Sequence, residues 1–208
     1  MKYLKENYLQ HGGENPDIRS PFWDENITGV LVKHYKEYMK GNVVEFGCNN
    51  GVMVARVSEY ESVDEVVGVD LNTESIEVCK NKIPEQIKDT SHKVRFLNEN
   101  LTDLSLEDQY FNFGFSIHTI EHIYPEDIDK AVSEMLRTIK TNGYIMVNLP
   151  DKESYLWEPL HVYRPSIEEL NQLFIHHGCE VIESYIDERG GQVGHSKNIT
   201  ALYKKLYH

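Results

Sequence analysis

Five short apolar runs recur along most of the chain: Val43 to Phe46, Glu65 to Val69, Lys93 to Leu97, Phe111 to Ile117 and Tyr144 to Leu149. Each is apolar enough to be covered on both faces, as central strands of a parallel sheet are. Between them lie helical patterns, Met53 to Tyr60, Thr73 to Lys82 and Ile128 to Lys140, so strands and helices alternate as in βαβ units. Thr73 is the expected cap of the second helix, and Thr141-Asn142-Gly143 the expected stop of the third. Ser166 and Glu169 have capping-box spacing before a helix that ends at His177-Gly178. Two last runs, Glu180 to Ile186 and Ile199 to Leu206, read as strands paired across the Gly190-Gly191 turn region.

The N-terminal part divides at Pro21. His11-Gly12-Gly13-Glu14-Asn15-Pro16 is turn-rich, and Asn26 to Met39 reads as a helix leading into the first strand. Residues 1–40 are therefore expected to form a loop and helix, either a lid that includes Trp23 or a surface helix over a sheet edge. Residues 41–208 are expected to form one α/β domain. At 208 residues and 40% hydrophobic composition, the chain can enclose a substantial core.

Charge narrows the partners. Thirty-four acidic residues against 21 basic ones leave a formal net charge of −13, which repels polyanions over most of the surface and disfavours nucleic acid. Cys48, Cys79 and Cys179 are odd in number and lack CxxC spacing, so they suit small buried positions in a reducing compartment. The N-terminus has no apolar signal region, and no run approaches the roughly 20 apolar residues of a membrane span. The expectation is a soluble cytoplasmic protein without membrane contact.

The main chemical signal is Val43-Val44-Glu45-Phe46-Gly47-Cys48-Asn49-Asn50-Gly51, a strand running through a glycine turn into a helix. Such a turn admits a ligand to the backbone, and the helix N-terminus behind it is expected to offer free N–H groups. The same pattern also arises where packing alone demands glycine. What strengthens it is Val66-Val67-Gly68-Val69-Asp70, an apolar strand ending in a carboxylate nineteen residues beyond Gly51. An acidic residue at about that spacing accepts hydrogen bonds from ribose hydroxyls in nucleoside-binding α/β folds.

These segments resemble the class I S-adenosylmethionine-dependent methyltransferases, from about Gly41 to the C-terminus. Val43 to Gly51 looks like the family's first motif and Val66 to Asp70 its second. Phe96 to Leu104 looks like its adenine-contacting segment and Phe111 to Ile123 its fourth motif. Met135 to Val147 and His161 to Leu170 look like its later helix–turn–strand and histidine segments. The resemblance implies a single Rossmann-like three-layer domain whose mostly parallel seven-stranded sheet has an antiparallel last strand. It implies cofactor contacts from Glu45, Gly47, Cys48, Asn49, Gly51, Asp70, Leu71, Asn100, Leu101 and Ile117. Two positions depart from the family. Asn49 stands where a second glycine is usual, and Asn tolerates left-handed backbone better than other non-glycine residues. Asn100 stands where Asp usually meets the adenine amine, and its side-chain carbonyl can still accept.

Methyl transfer from a sulfonium needs alignment, desolvation and removal of one acceptor proton, so the acceptor itself leaves little trace in sequence. The candidates for that proton are His118, His122 and His161, with Glu121 beside them. In the related ubiquinone-biosynthesis and plant small-RNA O-methyltransferases, a Glu-x-x-Glu-His segment and a later histidine bind a divalent metal. Here His118 replaces the first Glu, so the resemblance makes His118, Glu121, His122 and His161 a candidate metal set, suited to Zn²⁺, Mn²⁺, Fe²⁺ or Ni²⁺. A metal-free acid–base role for one histidine and a packing role are the alternatives. Tyr155, Trp157, Pro159 and Tyr163 are candidates to stack on an acceptor, or to pack as an ordinary loop.

The expected function is S-adenosylmethionine-dependent methyl transfer to a hydroxyl or amine of a small molecule. A dinucleotide-dependent oxidoreductase, which wants G-x-G-x-x-G, and a catalytically silent nucleoside-binding partner protein are the competing readings. Oligomeric state leaves no sequence signal.

Overall fold

A computed structural model describes residues 16–22, 26–154, 160–190 and 196–207. The chain forms two compact units that divide between Asn100 and Leu101.

The first unit contains α1 (Ile27–His34), β1 (Gly41–Phe46), α2 (Val52–Ser58), β2 (Val63–Asp70), α3 (Thr73–Gln86) and β3 (Val94–Asn98). β2 pairs parallel with β1 and with β3. Val43, Val44, Phe46, Val66, Val67 and Val69 are all fully buried, so both faces of β1 and β2 are covered as their unbroken apolar runs predict. Asn26 caps α1 by accepting from Gly29 N at 2.9 Å. That helix ends at His34, with a 3-10 turn at Lys36–Tyr38 completing the stretch expected to be one helix. Residues 16–20 strap onto the unit: Ile18 is buried, its N–H donates to Gln86 Oε1, Gln86 Nε2 donates to Pro16 O, and Arg56 Nη1 donates to Ile18 O. Trp23, a suggested lid residue, lies outside the described residues.

Two features of α3 differ from expectation. Its cap is Asn72, which accepts from Ser75 N at 3.1 Å, because a residue in extended backbone one place earlier is what the first turn can use. The helix also runs through Pro84 to Gln86. Pro84 removes one bond of the ladder, its own N–H to the carbonyl four residues back, and the helix ends two residues later.

The second unit contains β4 (Phe111–Ile117), α4 (Ile128–Thr138), β5 (Ile139–Pro150), α5 (Ile167–His176), β6 (Cys179–Gly190) and β7 (Ser196–Lys205). β4 and β5 are parallel, while β7 runs antiparallel to both β5 and β6. The seven strands follow the order β3-β2-β1-β4-β5-β7-β6, so the mostly parallel sheet with an antiparallel last strand is as expected. Thr141-Asn142-Gly143 does not stop a helix. α4 ends three residues earlier, and the tripeptide forms an irregularity inside β5, where the register with β4 shifts and Asn142 takes φ 65°. The helix stop comes instead from tertiary structure: the buried Lys205 ammonium donates to Leu136 O and Ile139 O, both at 2.8 Å. Carbonyls left open at a helix end and its negative dipole pole suit a cation there, although burial still pushes the amine below its ordinary pKa.

Arg137 on α4 pins the approach to β4 by donating to Leu104 O, Leu106 O and Glu134, and it pairs with Asp108. Among the described residues no helix is long and apolar enough to cross a membrane.

At the start of α5 the expected capping box forms, with Ser166 Oγ accepting from Glu169 N at 3.2 Å and Glu169 Oε2 accepting from Ser166 N at 2.6 Å. Ser166→Ala removes one of these and is expected to lower unfolding free energy by about 1 kcal/mol in urea titration.

Candidate functional site

In the first unit, β1 leaves the sheet at Gly47 and the chain must reverse into α2 within a few residues. Gly47 at φ 84° and Gly51 at φ 73° adopt left-handed backbone, and Asn49 at φ 43° does so between them, the departure that asparagine tolerates. The amides of the turn itself, ahead of the helix N-terminus, are taken up by the end of β2. Gly47 N and Cys48 N both donate to Val69 O, at 2.8 and 2.9 Å, and Asn49 N donates to Asp70 Oδ2 at 2.8 Å. The loop spends its donors on holding its own shape against the end of β2.

Gly51 is required by its left-handed backbone and by packing: a Cβ there would lie 2.8 Å from both Cys79 Sγ and the Phe96 ring. Cys48 and Cys79 are buried free thiols, matching the expected role as small apolar residues. Burial, and then the hydrogen bond between the Cys48 and Cys79 side chains, push the Cys48 thiol well above its ordinary value, and Cys79 Sγ donates to Asn49 O at 3.2 Å.

What the turn holds out is acceptors. Glu45 is buried; its carboxylate takes a hydrogen bond from the Val54 backbone, but Oε2 has no partner among the described residues. Burial, and then the negative charge of Asp70, push this carboxyl well above the usual range. Asn49 Oδ1 is likewise buried and unpartnered. Asp70 accepts from two backbone donors, Asn49 N and Asn72 N, each at 2.8 Å. Beside it Leu71 is 55% exposed, an apolar side chain held out toward solvent. Unpartnered buried carboxylate and amide oxygens suit an ammonium donor, and an exposed leucine suits a planar apolar ring. These residues therefore fit the methionine and nucleoside parts of S-adenosylmethionine. Asn100 is exposed at the end of this unit.

Sequence reasoning overlooked Asn98, which ends β3 and donates through Nδ2 to Asp70 O and Leu71 O, both at 2.9 Å. No motif spacing marks it.

In the second unit, Leu101 and Ile117 are nearly buried, and the chain after β4 passes through His118 at φ 52°, its N–H bonded to Asn148 O at 2.8 Å. A left-handed histidine held by its neighbour is a strained, over-determined position. A 3-10 turn at Ile120–His122 follows. Glu121 is completely buried, and its Oε1 lies 3.2 Å from His118 Nδ1. Burial alone would push the Glu121 carboxyl up; the His118 hydrogen bond and the His118 and His122 imidazoles outweigh it and hold it below its ordinary value. An ionised carboxylate only accepts, so Nδ1 of His118 carries the proton, and in the neutral ring Nε2 holds the lone pair. His122 Nδ1 donates to Leu160 O at 3.1 Å, with the same consequence for its Nε2.

The His122 and His161 rings meet edge to face at 5.0 Å. Glu121, His122 and His161 each offer a ligand atom within 4.8 Å of the others, whereas His118, placed with them by sequence, is engaged with Glu121. Tyr163 N donates to Glu121 O at 3.1 Å, closing the two segments together. Tyr155, Trp157 and Pro159 lie outside the described residues.

The family described as "Methyltransferase domain" matches residues 44–147, half of the chain. The chain belongs to the class I S-adenosylmethionine-dependent methyltransferases. Membership sets aside the dinucleotide oxidoreductase reading. A protein named demethylmenaquinone methyltransferase from Bacteroides fragilis is 30% identical over 127 residues, 60% of this chain and 49% of the relative. The chain thus spans about half the length of the curated relatives it matches. A SAM-dependent methyltransferase from Aquifex aeolicus has a similar fold, with TM-score 0.66, 20% identity and coverage of 88% of this chain and 93% of that one. The cyclase SpnF superposes with TM-score 0.73 at 14% identity over 93% of this chain and 85% of its own.

Because Gly51 combines positive φ with neighbours at 2.8 Å, Gly51→Ala is expected to cost about 3 kcal/mol, seen as a lowered urea midpoint.

Proposed function

We propose that this chain binds S-adenosylmethionine at the turn after β1 and transfers its methyl group to a hydroxyl or amine of a small-molecule acceptor. The observation that carries the reading is the pair of buried, unpartnered acceptors, Glu45 Oε2 and Asn49 Oδ1, next to the Asp70 carboxylate. Glu45 and Asn49 would hold the ammonium of the methionine end, with Gly47 and Cys48 shaping the turn beside it. Asp70 would accept from the ribose hydroxyls, Leu71 would cover the adenine, and Asn100 would meet its amine. The cofactor supplies a methyl group already activated by the sulfonium.

The chain's own contribution to chemistry is then a proton acceptor. His118 fits best, since Glu121 fixes its protonated nitrogen and leaves Nε2 as the base. Oriented in this way, the imidazole takes the acceptor's proton as the methyl group arrives. A small acceptor also agrees with the acidic surface and with the name of the Bacteroides fragilis relative.

A second reading rests on the Glu121, His122 and His161 group. An ionised buried carboxylate and a histidine with a free Nε2 fit a divalent cation such as Zn²⁺ or Mn²⁺. Such an ion would lower the pKa of a coordinated acceptor hydroxyl.

Calorimetry with S-adenosylhomocysteine tests the cofactor reading. Burial and the Asp70 charge push the Glu45 carboxyl well above the usual range, and an ammonium beside it would favour the ionised form, so binding should be linked to proton release. Affinity should therefore rise as pH climbs from the ordinary carboxylate range toward neutrality. Titrations in buffers of different ionisation enthalpy should show that release, and Glu45→Gln should abolish it. Asp70→Ala should weaken binding by about one to two orders of magnitude.

Turnover is followed with labelled cofactor and a panel of small hydroxyl and amine compounds, demethylmenaquinone included. His118→Ala is expected to lower kcat about 10²- to 10⁴-fold while chelators have no effect. Loss of turnover on chelation, with recovery on adding Mn²⁺ or Zn²⁺, would instead establish the metal reading. No methyl transfer to any acceptor, with cofactor still bound, would favour the silent nucleoside-binding protein.

A further inference from the structure

Asn98 carries a role that no motif assigns. Its side-chain amide bridges the two consecutive carbonyls of Asp70 and Leu71, at 2.9 Å each, while Thr73 Oγ1 donates to its Oδ1 at 3.0 Å. Glu99 N adds a bond to Asp70 O at 3.0 Å. Asp70 and Leu71 leave the end of β2 at the point where its register with β3 stops, at Asp70 opposite Asn98. Beyond that point no ladder fixes the direction of the chain, and the Asn98 amide takes over from it. The two carbonyls can only accept, so the NH₂ faces them, and the Thr73 hydroxyl donates to the oxygen on the other side and holds the amide in that orientation.

We infer that Asn98 is a positioning residue for the nucleoside half of the cofactor, holding the Asp70 carboxylate and the Leu71 side chain in the arrangement that receives ribose and adenine. The inference rests on the reading of Asp70 as the ribose acceptor. Asn98 is exposed, so water can replace its hydrogen bonds when the amide is removed. Its loss should therefore leave stability nearly unchanged and be felt in binding, because the turn has to be ordered when the ligand arrives. A purely structural side chain would behave in the opposite way.

The experiment measures dissociation constants by calorimetry for S-adenosylhomocysteine and for its 2′-deoxyribose analogue, with thermal unfolding of each variant alongside. Wild type should prefer the ribose ligand. Asn98→Ala should weaken that ligand about tenfold, weaken the 2′-deoxy analogue much less, and keep its melting temperature. Thr73→Val, which removes only the hydroxyl that orients the amide, should shift the same preference in the same direction by a smaller factor. It remains informative if Asn98→Ala does not fold.

A wild-type protein that binds both ligands equally shows that Asp70 does not hold the 2′-hydroxyl, and the proposal fails with it. A wild-type preference for ribose that persists undiminished in both variants overturns the role of Asn98 alone. Equal weakening of both ligands, together with a lowered melting temperature, also overturns it and leaves Asn98 as a structural residue.

Discussion

The Asp70 carboxylate is the point on which the first unit's candidate site depends. One oxygen takes the Asn49 N–H from the turn after β1, and the other takes the Asn72 N–H from the residue that caps α3. A single side chain thus joins the end of β2, the left-handed turn and the start of a helix. Charge-assisted bonds to backbone donors are among the stronger hydrogen bonds in proteins, at about 1.5 to 3 kcal/mol each. With the amides of Gly47, Cys48 and Asn49 committed to β2, the loop has its shape fixed and is left with unpartnered acceptors rather than donors.

This arrangement has a cost that is informative about its use. Glu45 sits buried with one oxygen unpartnered and with Asp70 adding repulsion. A chain selected only for stability has little reason to keep a carboxyl there. The cost becomes intelligible if a cation completes the set, and the ammonium of a sulfonium amino acid is such a cation. The second unit has a parallel feature. Glu121 is as fully enclosed as a carboxylate can be, yet it stays ionised because imidazoles adjoin it, and His118 is held at positive φ beside it. Burial and strain at neighbouring residues, each maintained by specific hydrogen bonds, are concentrated at sites that do chemistry more than at sites that merely pack.

Much of the architecture was legible in the order of apolar runs. Phe111 to Ile117 is a strand at the residues expected, and Ser166 with Glu169 forms the capping box that its spacing announces. Hydrophobic period and capping chemistry act over a few residues, so they survive in a linear reading. The errors share one cause. Thr141-Asn142-Gly143 has the composition of a helix stop, but the stop was made by Lys205, more than sixty positions away, and the tripeptide was absorbed into β5. Gly51, read from its spacing as a ligand-approach glycine, also meets a packing limit set by Cys79 and Phe96 that spacing does not show.

The sequence alone determined the fold class, the two glycine and carboxylate signals after β1 and β2, and the family, because each is written in local spacing that any folded copy must respect. Tertiary structure decided which of the residues named by that spacing are left with unpartnered polar atoms. It separated the unpartnered oxygens of Glu45 and Asn49 from the committed amides of the same turn. It paired His118 with Glu121 while bringing ligand atoms of His122 and His161 within 4.8 Å of that carboxylate. It also recruited Asn98, a residue that no motif marks, to hold Asp70 and Leu71. The physical reason is that a hydrogen bond depends on distance and direction between groups far apart in the chain, and neither quantity is encoded in residue type or spacing.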